Sequence, residues 1–392
     1  MEEARFNALV SDFTRRYGIP PTLASWAPGR VNLIGEHTDY NGGYVMPCAI
    51  PLGTLLLAAP RTDHALNVYS TNLERAGSVD LTDPQRQPGK PWLDYMAGVA
   101  RELQQLGHLP AAADVLVYSN LPLGSGLSSS AAFEMATLGV FEALGQFRLT
   151  VGEAALLGQR VENNFLGLSS GVMDQFAVRG AEAGHALFLD CRSLAHELIP
   201  VNFPDCVLVV ADTASPRRLT GSEYNQRVSE CAAAVAALRS STGREGSLLR
   251  DFHMEDLHLL SDTAPDLIIR RARHVLSENQ RTLEACHAFR KGDAAAFGTL
   301  MNASHTSLRE DYEVSSKELE SLTESLRAQS GCLGARLTGA GFGGCAVALF
   351  QAPHAQAQVD AALESYRQST GRPGSALLFT PAFGALFTYL AP

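Results

Sequence analysis

The 392-residue chain has no excess of positive charge, no Cys-x-x-Cys pair, no apolar run of membrane-spanning length and no Gly-Lys-Ser/Thr loop. Each absence excludes something. A formal net charge of −10 argues against a broad nucleic-acid footprint or an anionic membrane surface. Any anionic ligand must therefore be held by local features. The seven cysteines (48, 191, 206, 231, 286, 332 and 345) are scattered and odd in number, the pattern of reduced, mostly buried thiols in cytosol. The first residues, Met1 to Arg5, are acidic and no apolar leader follows them, so a soluble cytoplasmic protein is expected. Without Gly-Lys-Ser/Thr there is no Walker A loop. Internal repeats and low-complexity tracts are also missing.

The remaining signals are local. The length allows two domains of ordinary size. The first half reads as strand-rich and glycine-punctuated, the second as helix-rich, which predicts an α+β, two-lobed protein. Asp83–Pro91, with three prolines and a glycine, reads as an exposed loop. Apolar strands are predicted at Ala186–Leu189 and Val207–Val210, with Asp190–Phe203 between them as a domain crossing. Helices follow at about Glu223–Leu238, Asp266–Arg290, Asp293–Leu308 and Ser315–Gln329. Thr150-x-x-Glu153 and Ser315-x-x-Glu318 look like capping boxes, and Gly331 like a C-terminal glycine. Ala376–Leu390 is strand-like and is expected to return to the first lobe.

Four segments carry chemistry. Leu123–Ala132 (LGSGLSSSAA) is a glycine- and serine-dense turn between an apolar strand, Ala113–Tyr118, and a helical stripe, Phe133–Leu144. Strand, tight loop and helix start point backbone N–H groups and a positive dipole end at one spot, which suits a phosphate. Alone, such a turn is more often a cap and a connector. Ala27–Gly43 (APGRVNLIGEHTDYNGG) gathers Arg30, Glu36, His37, Asp39 and Tyr40 in a turn-rich stretch. Carboxylates beside an imidazole suit a polyhydroxylated ligand, since each carboxylate can accept two hydroxyls. A solvated turn or a metal cluster are the alternatives, the latter weak for want of a second histidine at ligand spacing. Glu162–Phe176 (ENNFLGLSSGVMDQF) offers two carboxylates, Glu162 and Asp174, across a flexible turn. One could hold Mg²⁺ and the other act as base toward a hydroxyl; a lone Asp after a turn is otherwise a cap. Leu337–Val347 holds Gly339, Gly341 and Gly344 in a G-x-G-x-x-G pattern, but strand-like residues follow it, so it is no dinucleotide site. It is either a hairpin turn or a wall near the other glycine loop.

Together, and taken in chain order, these segments resemble the three motifs of the GHMP small-molecule kinases. Ala27–Gly43 resembles the sugar signature of the galactokinase family, Gly-Arg-x-Asn-Leu-Ile-Gly-Glu-His-x-Asp-Tyr, present from Gly29 to Tyr40. The likeness extends through His185–Leu194, Ser222–Asn225 and Arg271–His274. It implies an N-terminal lobe like ribosomal protein S5 domain 2 (residues 1–195), a ferredoxin-like C-terminal lobe (196–392), and a site in the cleft between them. It implies ATP and D-galactose as substrates, α-D-galactose 1-phosphate as product, Mg²⁺ as cofactor, and a monomer without nucleic-acid or membrane partners.

Residue by residue, the resemblance implies that Gly124, Ser125, Gly126, Leu127, Ser128, Ser129 and Ser130 wrap the ATP phosphates. Ser130 and Glu162 would hold Mg²⁺. Asp174 would be the catalytic base, with Arg30 beside it stabilising the transferring phosphoryl group. Glu36, His37, Thr38 and Asp39, with Gly171 and Tyr224, would contact the sugar. Trp92 would lie near adenine and Ser70 near the nucleotide. The rival readings are a Gly-x-Ser-x-Gly hydrolase at Gly167–Gly171, a catalytically silent galactose sensor, and a sister kinase for N-acetylgalactosamine or arabinose. A hydrolase elbow needs a strand before its serine, and a sensor would lack the Ser130–Ala131 pair that is present here.

Overall fold

A computed structural model describes residues 3–122, 124–215, 222–261 and 263–391. Leu123, at the head of the glycine–serine loop, lies outside the described residues, as does the side chain of Ser222.

The six-stranded sheet has the order Leu386–Tyr389, Leu23–Asn32, Pro47–Pro60, Ala113–Ser119, Ala65–Ser70, Arg75–Asp80. All neighbours are antiparallel except Ala65–Ser70 against Ala113–Ser119. The run Leu55–Ala59 is apolar at every position because the sheet is covered on both faces. Leu55, Leu57 and Ala59 pack toward Leu9 and Phe13 of the first helix, Glu3–Tyr17. Leu56 and Ala58 point the other way, into the core that includes Met135 and Leu138 of the helix Ser129–Gly145. That second face is the one that matters for function, since it sets the helix start beside the central strands.

The four-stranded antiparallel sheet runs Cys332–Thr338, Cys345–Gln351, Cys206–Asp212, Ser375–Phe379. Helices Lys317–Arg327 and Ala355–Thr370 cover one face through Leu322, Leu326, Val359 and Tyr366. Its other face joins the main core through Leu208, Val210, Val347 and Leu349. A three-stranded sheet links Tyr44–Val45, His185–Asp190 and His196–Pro200.

Several local expectations change. Asp190–Phe203 is no simple crossing, because His196–Pro200 folds back as a hairpin on His185–Asp190. The cap of the helix Lys317–Arg327 is Ser316, whose hydroxyl accepts from Leu319 N at 3.2 Å; Ser315 instead donates to the Glu320 carboxylate. That helix ends at Ala328 in right-handed geometry, so Gly331 serves the following turn, its N–H bonded to Gln358. Thr150 and Glu153 do form the reciprocal capping box. Ala376–Leu390 splits: its first part pairs in the four-stranded sheet and only Leu386–Tyr389 returns to Leu23–Trp26. Among the described residues all seven cysteines are free, and no helix is long and apolar enough to cross a membrane.

Candidate active site

The glycine–serine loop leads from Ala113–Ser119 into the helix Ser129–Gly145. Ser128 sits just before the helix in left-handed backbone geometry (φ 59°, ψ 46°), where a serine is strained. Its hydroxyl donates to Asp174 Oδ2 at 2.6 Å, a short charge-assisted bond that offsets that strain. Arg30 reaches the same place from strand Leu23–Asn32. Its Nε and Nη2 both contact Asp174 Oδ1, at 2.8 and 2.6 Å, and its Nη1 donates to the Gly126 carbonyl at 2.7 Å. The backbones come close as well: Arg30 N donates to Leu127 O, and a Cβ on Gly29 would lie 2.6 Å from that oxygen. Only glycine permits this approach.

Asp174 stands in the first turn of the helix Met173–Gly180. Across the cavity, Glu162 projects from a π-helical turn, Val161–Leu166, a distortion often found at functional sites. Burial pushes the Glu162 carboxyl above the usual range and repulsion from Asp174 adds to that, against hydrogen bonds from Ser170, Ser130 and Gln175. Behind it, fully buried Glu134 accepts from Gln175 Nε2 at 3.1 Å and is raised well above the ordinary range, first by burial and then by Glu162.

The sugar-signature segment supplies the opposite wall. Glu36 is 2 % exposed and fully engaged: Oε2 accepts from Asn32 and Arg336 at 2.9 and 2.6 Å, and Oε1 from Gly339 N at 2.6 Å. Burial raises its pKa and Arg336 opposes the rise. His37 places Nε2 3.2 Å from the Ala340 carbonyl, which can only accept, so that nitrogen carries hydrogen. Its Nδ1 lies 3.0 Å from the Tyr40 hydroxyl, and Tyr40 is in turn 2.6 Å from Tyr312. Asp39 is pushed up to about 7, mainly by burial and then by the nearby Asp174 charge.

A cavity of about 510 Å³ between the two halves brings together Arg30, Glu36, His37, Asp39, Gly124, Ser130, Glu162, Gly171, Asp174 and Tyr224. Gly339 and Ala340 of the second glycine loop form a further wall. The remaining expected residues stand elsewhere. Thr38 is buried with its hydroxyl bonded to the Gly35 and Tyr44 carbonyls. Ser125 donates to Pro122 O, Gly126 offers its carbonyl to Arg30, Leu127 packs its side chain in the core, and Ser129 is exposed at the helix start. Ser70 is buried and accepts from Leu73 N, while Trp92 packs against the main core. Neither lines the cavity; Tyr95, three residues after Trp92, does, together with Met173 and Asn225. Tyr95 carried no sequence signal, because an aromatic at a helix start looks like a packing residue, whereas Met173 and Asn225 fall inside the segments Glu162–Phe176 and Ser222–Asn225 without a role of their own.

Comparison with known proteins joins this geometry to a family. Residues 11–60 match the galactokinase galactose-binding signature, 94–180 the GHMP kinase N-terminal domain and 285–368 the GHMP kinase C-terminal domain. A galactokinase of Chloroflexus aurantiacus is 42% identical over 383 residues, 98% of each chain. The chain belongs to the galactokinase family. A Clostridium perfringens galactokinase is 39% identical over 94% of this chain and 96% of that one. The crystal structure of Lactococcus lactis galactokinase complexed with galactose superposes with a TM-score of 0.93 at 38% identity, covering 97% of this chain and 99% of that one. A mevalonate kinase of L. major (TM-score 0.60, 21% identity, covering 92% and 95%) shares the GHMP kinase fold. The galactokinase arrangement also disposes of the hydrolase alternative: the Gly167–Gly171 turn follows a helical turn, with no strand before its serine.

Proposed function

We propose that this chain transfers the γ-phosphoryl group of ATP to the anomeric hydroxyl of D-galactose, giving α-D-galactose 1-phosphate. The observation that carries this reading is Asp174, held by Arg30 and Ser128 at the end of the glycine–serine loop and facing the carboxylate-lined sugar wall across one cavity. Phosphoryl transfer asks little covalent chemistry of the protein, so positioning and charge neutralisation dominate. In this reading the helix start at Ser129 and the loop before it receive the phosphates. Asp174 accepts the proton of the attacking hydroxyl, Arg30 offsets charge on the transferring group, and Glu36, His37, Asp39, Gly171 and Tyr224 orient the hexose.

The donor set fits Mg²⁺. Glu162 is a buried carboxylate that no Arg, Lys or His pairs among the described residues, and Ser130 adds a second hard oxygen donor. No three His, Cys, Asp or Glu side chains among the described residues could hold a metal alone. Mg²⁺ commonly completes its shell with water and substrate phosphates, where it neutralises charge on the β- and γ-phosphates.

An ADP-release assay against free sugars tests the whole reading. Turnover is expected with galactose. Equal or faster turnover with N-acetylgalactosamine or arabinose would replace galactose as substrate, and sugar binding without ADP release would favour the sensor.

Two further outcomes follow from the sugar wall. A Cβ on Gly171 would lie 1.9 Å from Asp39 Oδ2. Overpacking of that kind costs about 1–3 kcal/mol, so Gly171→Ala is expected to raise the galactose KM about tenfold or more while the ATP KM holds. Asp39 gives a pH signature. Its folded value of about 7 lies above the ordinary aspartate value of 3.8, so its contribution to stability is full in acid and is lost as pH rises from there through 7. Asp39→Asn should therefore raise the melting temperature at pH 8 and barely change it below pH 4, while weakening galactose binding. An equal shift at both pH values, read by calorimetry, would refute the assignment.

A further inference from the structure

The helix Asp266–Lys291 places no residue in the cavity, yet one of its faces grips the backbone that carries the sugar wall. Glu278 Oε1 accepts from Gly35 N at 3.0 Å and Glu36 N at 3.2 Å, and also from Ser304 Oγ at 2.6 Å. Its Oε2 is held by Arg281 Nε at 2.6 Å. One turn earlier, His274 Nε2 lies 3.1 Å from the Glu36 carbonyl. Since a carbonyl only accepts, that nitrogen donates, while Nδ1 lies 2.9 Å from the Ser307 hydroxyl, which itself donates to Asp311 Oδ2 at 3.2 Å. Asn279 Oδ1 accepts from Tyr44 N at 2.9 Å.

The gripped segment has little regular structure to hold it. Gly35 and His37 are left-handed (φ 91° and 61°), and Asp39–Asn41 is a single 3₁₀ turn. Its backbone groups must nonetheless be satisfied where they are buried. At Gly35, Glu36 and Tyr44 the partner comes from the helix rather than from a sheet ladder. The fit is close: a Cβ on Gly35 would meet Thr282 Oγ1 at 3.0 Å, and one on Gly43 would meet Asn279 Oδ1 at 2.3 Å. His274, Glu278 and Thr282 are spaced four apart and so share one helical face.

We infer that this face, centred on Glu278, is the positioning element of the sugar site: it fixes the backbone of residues 35–44 so that Glu36, His37 and Asp39 meet the hexose. The inference rests on the hexose-kinase reading above. Glu278 touches no substrate and acts through the segment it holds. The nucleotide half of the cavity, built on the loop 124–130 and Glu162, is anchored on other elements. Loosening the grip should thus separate the two substrates.

The test uses Glu278→Gln and the milder Ser304→Ala, which removes only the hydroxyl bonded to Oε1. A misplacement of about 1 Å can cost on the order of 10²-fold in rate. Glu278→Gln is therefore expected to lower kcat/KM for galactose about 100-fold, with galactose affinity by calorimetry weakened in parallel and the ATP KM within about twofold. Ser304→Ala should move galactose parameters about threefold in the same direction, and it decides the matter if Glu278→Gln does not fold. A merely structural role would lower the melting temperature and the active fraction while leaving both KM values alone; that result, or KM values that rise together, overturns the inference. A wild-type chain that phosphorylates no sugar overturns the proposed function itself, whereas an active wild type with unsplit variants overturns only the role given to Glu278.

Discussion

Asp174→Ala is expected to lower kcat by about 10³-fold while the protein still folds and binds both substrates, in line with the 10²–10⁴ that a positioned general base contributes. The fold should survive because Asp174 is partly exposed, its side chain retaining 29% of its surface, and because it sits at the end of a helix rather than within the core. Its loss would free Arg30 and the Ser128 hydroxyl, but Arg30 keeps the Gly126 carbonyl as an acceptor. The measurement is single-turnover kinetics with ATP and galactose, alongside galactose affinity by calorimetry. A fall in kcat with near-normal affinity fits a group whose contribution is made in the transition state. A folded variant that keeps more than about a tenth of wild-type turnover would remove Asp174 from the chemistry.

The chemistry-bearing loops were legible because their composition conflicts with packing. Glycine and serine crowd residues 124–130, and charged side chains crowd 30–39, where a plain strand or helix would have apolar periodicity. The two-sided sheet was not anticipated, although the unbroken apolar run at Leu55–Ala59 carries its signature. Other features were hidden by degeneracy. Ser315 and Ser316 are both competent caps, and one residue of register separates them. Ala376–Leu390 has strand character throughout, but strand character does not say which of two sheets will take each part. Trp92 was placed near adenine by the family resemblance, yet the start of the helix Asp94–Gln105 turns Tyr95 toward the cavity. The grip of Glu278 was the least visible. On a long polar-faced helix, a glutamate followed three residues later by an arginine reads as a surface ion pair. Only the fold shows that its other oxygen is spent on the backbone of the sugar segment, some 240 residues earlier in the chain.

Arg30→Met should be nearly as damaging as Asp174→Ala, and the two losses should not add. Arginines that offset charge in phosphoryl transfer are worth about 10³–10⁵ in kcat. Arg30 is 4 % exposed and puts two nitrogens on one Asp174 oxygen and a third on the loop carbonyl of Gly126. It therefore holds Asp174 and the glycine–serine loop in one frame. Arg30→Lys keeps the charge but can reach only one of these partners at a time, so it should recover little of the rate. Groups that act as a unit give non-additive losses. The Arg30→Met, Asp174→Ala double variant is thus expected within about tenfold of the worse single variant, read from kcat in the same ADP-release assay. Losses that multiply instead would mean that the arginine serves the phosphates independently of the carboxylate, and the frame joining Asp174 to the loop would be only a feature of the resting site.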